Sequence, residues 1–461
     1  MRNLQSLFAR LRAARLTPFA VALGAFALLL PAVPAQATKI DRIVSPGGIE
    51  AWLVRDTTVP LVAMQFAFTG GSSQDPADKS GLANMTSSLL DEGAGDLDAA
   101  AFQERMERRA IEMRFSADRD HFRGSLRTLR ENSDEAFDLL RLALTAPRFD
   151  KPAVDRIRTQ ISAQLRREST DPGEIASVAW WRAAFPNHPY GREPKGTQET
   201  ISAIGPDDLR GYAGRVFARD TLKVAIVGDI DAQAAAAMLD RVFGKLPAKA
   251  NLTPVPNVSP AGLGSVSVVT LDTPQAVVML GGKGLARKAP DFIPAFVVNH
   301  ILGGGSFTSR LYQEVREKRG LAYGVSTYLY PLDHAALFMG WTQVRADRAG
   351  ESVSLIEKEI RRIAEEGPTA DELQRAKEFL AGSFALRFDT STKIAGQLVQ
   401  IQLDDLGIDY INKRNDLIMA VTLEDAKQAA KQVFSGGLSI TVVGRPVGVT
   451  PTAAPARSGP G

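Results

Sequence analysis

Arg316 and Tyr323 have the most direct chemical use of any pair of side chains in this sequence. A guanidinium and a phenol are both hydrogen-bond donors, and two such donors can hold a peptide carbonyl and stabilise the oxyanion formed when water attacks it. Ser306 is a candidate N-cap, Phe307, Leu311 and Val315 recur every four residues on one face, and Lys318 and Arg319 fall in the last turn before Gly320. That pattern predicts an amphipathic helix over Phe307–Arg319. From Leu321 the sequence alternates, with Leu321, Tyr323, Val325, Thr327 and Leu329 on one face of a strand and Ala322, Gly324, Ser326 and Tyr328 on the other. The turn at Gly320 then brings Arg316 near Tyr323. Taken alone, these residues also allow a plainer reading, in which EVREKR is a solvated charge run and Tyr323 an ordinary core residue.

Other chemistries have less to work with. The chain has no cysteine, which removes disulfides, zinc thiolates and cysteine nucleophiles. Its four histidines are His121, His188, His300 and His334, and no two are spaced to share a helix face. His121, in the strand-like ADRDHF segment, and His188 are read as hydrogen-bonded structural residues. Gly303, Gly304 and Gly305 precede the expected helix, but the G-K-[ST] ending and preceding strand of a phosphate loop are missing. They are read instead as a tight, mobile turn beside a substrate cavity, and so as candidate substrate-binding residues. The run Arg361–Glu366 reads as a solvated helix end.

The 461 residues are 44% apolar and 23% charged, a balance that suits a globular protein of more than one domain. Residues 1–37 have an Arg-bearing start, an apolar core from Phe19 to Leu30 and the A-x-A site Ala35-Gln36-Ala37, which together predict a signal peptide cleaved after Ala37. Pro31 and Pro34 interrupt the apolar run before it reaches the roughly 18 to 20 residues a spanning helix needs. The formal charge of +3 includes Arg2, Arg10, Arg12 and Arg15, so removing this segment leaves about −1 and no argument for nucleic acid. Export without cysteines suits a periplasmic location.

Beyond the signal, residues 38–246 form a first expected domain. Its strands are Ile49–Val54, Leu61–Phe68 and Met113–Phe122; its helices are Gly81–Leu90, Ala99–Arg109, Glu131–Leu144 and Val154–Arg167. Residues 247–264, with four prolines, read as an extended linker. A second domain at 265–446 restarts the pattern with a strand at Gln275–Leu280, a helix at Phe292–Leu302, a strand at Ala336–Gln343 and helices at Val353–Glu365 and Thr369–Arg387. Each domain closes alike: Pro206–Phe217 leads into VAIVGDID, and Thr422–Phe434 leads into LSITVVGR, a helix and then a buried strand ending in V-G. The tail 447–461, rich in Pro, Ala, Gly and Ser, is expected to be disordered.

The run RLYQEVREKRGLAYGV resembles the C-terminal signature of the M16 family, the insulinase, pitrilysin and mitochondrial-processing-peptidase-like metallopeptidases. In the N-terminal domain, Gly81-Leu82-Ala83, NHPYGREPKG at Asn187–Gly196 and VAIVGDID are similar to further M16 segments. The resemblance implies an α+β fold of two homologous α/β-roll halves, each a mostly antiparallel sheet covered by helices. In the family such halves close like a clamshell, and its smaller members pair two chains. It also implies that Arg316 and Tyr323 serve an active site from the half that holds no metal.

The zinc motif H-x-x-E-H of that family is absent. Aligned on Gly81-Leu82-Ala83, its two histidines fall on Asn84 and Ser88 and its general-base glutamate on Ser87. Counting back from Asp171-Pro172 puts the third ligand at Gln164. Two imidazoles at i and i+4 can grip Zn2+, and a neighbouring carboxylate can take a proton from metal-bound water; Asn, Ser and Gln do neither well. The resemblance therefore implies a subunit that binds no metal and is not catalytic alone. Its expected partner is a homologous chain bearing H-x-x-E-H and Zn2+, to which it lends Arg316 and Tyr323 for a peptide substrate. The alternative is a peptide-binding or scaffold protein of the same fold with no catalytic role.

Overall fold

The computed structural model describes residues 39–452. The expected signal segment 1–37 and the end of the expected tail, 453–461, lie outside the described residues. Two mixed sheets organise the rest. The first is β1 (Asp41–Val44), β2 (Glu50–Arg55), β3 (Leu61–Thr69), β4 (Glu112–Ala117), β5 (His121–Leu129) and β6 (Lys223–Gly228), in the order β1-β2-β6-β3-β5-β4. The second is β7 (Val266–Thr270), β8 (Gln275–Lys283), β9 (Ala322–Pro331), β10 (Ala336–Arg345) and β11 (Ser439–Gly444), in the order β7-β11-β8-β10-β9.

Apart from β1 the two orders superimpose. Each has one parallel pair, β2 with β6 and β7 with β11, and is antiparallel elsewhere. The closing strands are buried along nearly their whole length, as a strand covered on both faces must be. Each sheet is covered on one side by its own helices, which gives two separate apolar cores.

The other side of each sheet is covered by a helix from the opposite half. Pro172–Ala184 lays Trp180, Trp181 and Ala184 on Val277, Met279, Leu337 and Val443 of the second sheet, with Trp180 Nε1 donating to Ser439 O at 3.0 Å. Ser391–Leu403 lays Ala395, Leu398 and Val399 on Trp52, Val54, Ala225 and Val227 of the first, and Gln402 Nε2 donates to Val224 O at 2.9 Å.

The stretch 247–264 contains no helix or strand, but it is bound along its length. Gln74 brackets Thr253 with two hydrogen bonds, Val258 N donates to His334 O, and Ala261 N donates to Ala184 O. The tail expected to be disordered from 447 is ordered as far as Thr452: Val447 N donates to Ala346 O, and Thr452 N to Val266 O at the edge of β7. The helix expected over Thr369–Arg387 is α-helical only at Ala370–Gly382 and tightens to 3-10 over Ser383–Phe388.

The helix expected over Phe307–Arg319 is the largest correction. Ser306 adopts φ +47°, and Ser306–Thr308 is a single 3-10 turn. The following turn, Tyr312–Glu317, is π-helical, and His300–Gly304 before the loop is π-helical as well. Leu311 and Val315 are fully buried, but Phe307 is 67% exposed and off the buried face.

Candidate functional site

Arg316 stands in the wide π turn, and its guanidinium lies beside two rings. Its central carbon lies 4.8 Å from the centroid of Tyr312 and 5.0 Å from that of Tyr323. Tyr312, four residues earlier, is on the same helical side and buried, with its ring edge-on to Phe307 at 5.0 Å. Tyr323 comes from β9 and is 87% exposed.

Strict alternation from Val325 puts Tyr323 inside, and a β-bulge puts it outside. Val325 pairs with Thr342 and Ala322 with Val344, so Tyr323 and Gly324 together oppose the single residue Gln343. An inserted residue of this kind re-aims a side chain, and here it turns the phenol to solvent while Leu321, Val325 and Thr327 stay buried.

The charge run around Arg316 divides. Lys318 Nζ and Arg319 NH1 each reach a Glu314 carboxylate oxygen at 2.6 Å. Among the described residues no carboxylate or carbonyl engages the guanidinium of Arg316, and none engages the Tyr323 hydroxyl. The widened turn brings Arg319, five positions on, round to Glu314. The site thus presents one cation with its N–H groups uncommitted and two aromatic rings within 5.0 Å of it, one buried and one exposed.

The three glycines pack against Thr327 of β9, Asn299 and His300. Gly303 is buried against the edge of β9, where a Cβ would sit 2.4 Å from Thr327 Oγ1 and 3.0 Å from Thr327 N, so only glycine fits. Asn299 Nδ2 donates to Thr327 O at 3.1 Å from the same side. Gly304 is exposed, and Gly305 lies against His300, whose ring stacks on Phe379 at 5.1 Å.

The positions expected to have lost a metal lie in the other half. Leu82–Ser87 is a short helix whose first turn is capped by Asp75: Gly81 N and Ala83 N donate to its carboxylate at 2.9 and 3.0 Å. Burial pushes that carboxyl up to about 7 against these bonds. Asp75 also borders a cavity of about 480 Å3 shared with Arg192, Tyr212, Arg215 and Thr253. Ser87 and Ser88 both turn their hydroxyls back onto Asn84 O, at 2.8 and 3.0 Å. Gln164 is exposed and donates to Glu168. These side chains do not fit zinc: two hydroxyls are spent on the helix backbone, and the amides are poor ligands. Among the described residues no three His, Asp or Glu side chains group as a metal site.

Three of the four histidines meet where the halves join. His121 Nε2 lies 3.3 Å from Asp333 and its Nδ1 3.7 Å from Asp118. Tyr190 OH donates to Asp120 at 2.5 Å and accepts from His334 N at 3.0 Å. His188 bonds Pro256 O. Sequence reasoning placed His121 and His188 in structural roles but did not find this cluster, whose partners lie far apart in the chain. Tyr312 was also missed, although its i, i+4 spacing from Arg316 was a readable signal.

Residues 51–198 match the family described as "Insulinase (Peptidase family M16)", and residues 203–380 the one described as "Peptidase M16 inactive domain". A "Non-peptidase homolog YmxG" of Helicobacter pylori is 30% identical over 72% of this chain and 77% of its own length. An "Uncharacterized zinc protease" of Streptomyces coelicolor is 27% identical over 88% of this chain and 89% of its own. Among solved structures, a "peptidase M16 inactive domain" from Pseudomonas fluorescens superimposes with a TM-score of 0.84 at 28% identity, covering 90% of this chain and 99% of that one.

Proposed function

Because this chain belongs to the M16 peptidase family, we propose that it is the zinc-less subunit of a two-chain peptidase, holding the peptide for a homologous partner that carries H-x-x-E-H and the ion. The observation that supports this most is the uncommitted guanidinium of Arg316, beside Tyr312 and Tyr323 while Lys318 and Arg319 are tied to Glu314. Glu314, two positions away, faces a different side of the turn and is taken by Lys318 and Arg319, so the N–H groups of Arg316 stay free. Arg316 and Tyr323 then offer N–H and O–H donors to the carbonyl of a bound peptide, and their donation strengthens as negative charge develops on that oxygen. The signal-like segment 1–37 supports a periplasmic location under the same proposal.

The test is reconstitution. Purified alone, the chain is expected to bind no stoichiometric zinc and to cleave no peptide; mixed with an H-x-x-E-H chain it is expected to form an active pair. Arg316→Ala should lower kcat/KM of that pair about 100- to 1000-fold, the usual loss for one oxyanion donor, with no change in Tm. Peptide hydrolysis by the isolated, metal-analysed chain would sink the proposal. An Arg316→Ala pair as active as wild type would favour a peptide-binding or scaffold role instead.

A further inference from the structure

We infer that Tyr312 is a positioning residue for Arg316, its ring lying beside the guanidinium within the π turn Tyr312–Glu317. This rests on the role proposed above for Arg316. Tyr312 is buried, lies 4.8 Å from the Arg316 guanidinium carbon and makes a T-shaped contact with Phe307 at 5.0 Å, so its ring is packed against both. Its hydroxyl is buried and finds no partner among the described residues, so the phenol oxygen does not explain why an aromatic stands here; the π face does. The guanidinium also lies 5.0 Å from the ring of Tyr323, which is open to solvent. Tyr312 is thus the buried ring beside the guanidinium and Tyr323 the exposed one.

The turn itself is costly, since π-helical backbone is rare and concentrates at functional sites. Lys318 N donates to Gln313 O, an i to i+5 bond, which confirms the widening locally. The same widening draws Arg319 to Glu314, so no second cation competes for Tyr312. A guanidinium packed against a buried ring keeps its plane, and with it the direction of its N–H groups, without spending any of them on a carboxylate.

The experiment uses the reconstituted pair and the variants Tyr312→Phe, Tyr312→Leu, Arg316→Ala and the Tyr312→Leu/Arg316→Ala double. Tyr312→Phe keeps the π face and deletes the unpartnered hydroxyl, so wild-type kcat with an unchanged or higher Tm is expected. Tyr312→Leu should lower kcat roughly tenfold with KM nearly unchanged, the signature of a lost transition-state contact. The double variant should be no slower than Arg316→Ala alone, because Tyr312 acts only through that side chain. If Tyr312→Leu does not fold, Tyr312→Met fills the space without a π face and takes its place. If Arg316→Ala leaves the pair fully active, the proposed function itself fails. If Arg316→Ala is damaging but Tyr312→Leu is silent, or adds in full to it, the positioning role alone is overturned.

Discussion

The two halves share a sheet order, and at one place the chain turns from helix to strand in a similar way in both. Ala110 before β4 and Gly320 before β9 both take the left-handed conformation, with φ +49° and +60°, and Ile111 and Leu321 after them are both buried. Counting from these, Met106 and Met113 of the first half stand where Arg316 and Tyr323 stand in the second. The methionines are 7% and 3% exposed and belong to the first core. The elements around them are regular: Ala99–Arg108 is an α-helix, and β4 pairs with β5 without a break. In the second half the helix becomes a π turn and the strand takes a bulge. The difference teaches that an arginine and a tyrosine seven positions apart do not by themselves make a surface site; two local departures from ideal geometry lift them out of what is otherwise a core position.

The sharpest way to break that comparison is to move the side chains without the backbone. Met106→Arg with Met113→Tyr writes the second half's pair into the first. No bulge turns the tyrosine outward there, and no wide turn frees the arginine, so a charge is left in an apolar core. Leaving a charge uncompensated in a core costs about 3 to 5 kcal/mol. The double variant should therefore lose most of the stability of the first half, visible as a collapse of the urea midpoint. A midpoint near that of wild type would mean that the irregular backbone of the second half is not needed to carry Arg316 and Tyr323.

Much of this was legible in the chain and some was not, for identifiable reasons. The apolar spacing of Leu311 and Val315 and the alternation of Leu321, Val325 and Thr327 report burial correctly, because each is set by the core beneath. The same two patterns fail at Phe307 and Tyr323, where a break at Ser306 and an extra residue at Gly324 change the phase. A period read from sequence assumes that no residue is inserted. The exchange of Pro172–Ala184 and Ser391–Leu403 was illegible for a different reason: the apolar face of each helix finds its partner in the other half, which nothing local announces. That Asn84, Ser87, Ser88 and Gln164 are not zinc-binding side chains is a matter of residue type, which any sequence displays directly.

The halves also differ in what each gives to their junction, and pH is the means to sharpen that. The first half supplies Asp118 and His121 on adjoining backbone, and the second supplies Asp333 from the β9–β10 turn. Burial opposes the charge on His121, but the two carboxylates outweigh it and hold the imidazolium up to about 9, against an ordinary value of 6.5. A group whose pKa is raised on folding contributes fully below its unfolded value and loses that contribution as pH climbs through the folded one. The clasp should then be at full strength below about pH 6.5 and gone above about 9. Because Asp333 is partly in solvent, its worth is about 1 to 3 kcal/mol. Denaturant unfolding of wild type and His121→Gln should differ by that amount near pH 6 and converge toward pH 10. A gap that stays constant across this range would mean the imidazole works by packing and not by charge.

The smallest expected effect concerns Leu82–Ser87, the short helix that the resemblance aligns with the family's metal-binding helix. If the first half has surrendered chemistry to the second, Ser87 and Ser88 are ordinary residues of a short, capped helix. Their hydroxyls bond the same carbonyl, Asn84 O, which also accepts from Ser88 N, so that oxygen keeps a partner when both are removed. Ser87→Ala with Ser88→Ala should therefore shift stability by less than about 1 kcal/mol and leave the activity of the reconstituted pair unchanged, in contrast to Arg316→Ala. A marked loss of turnover without a loss of Tm would put a working group back on Leu82–Ser87, and the division of labour between the halves would have to be redrawn with hydroxyl chemistry in the first.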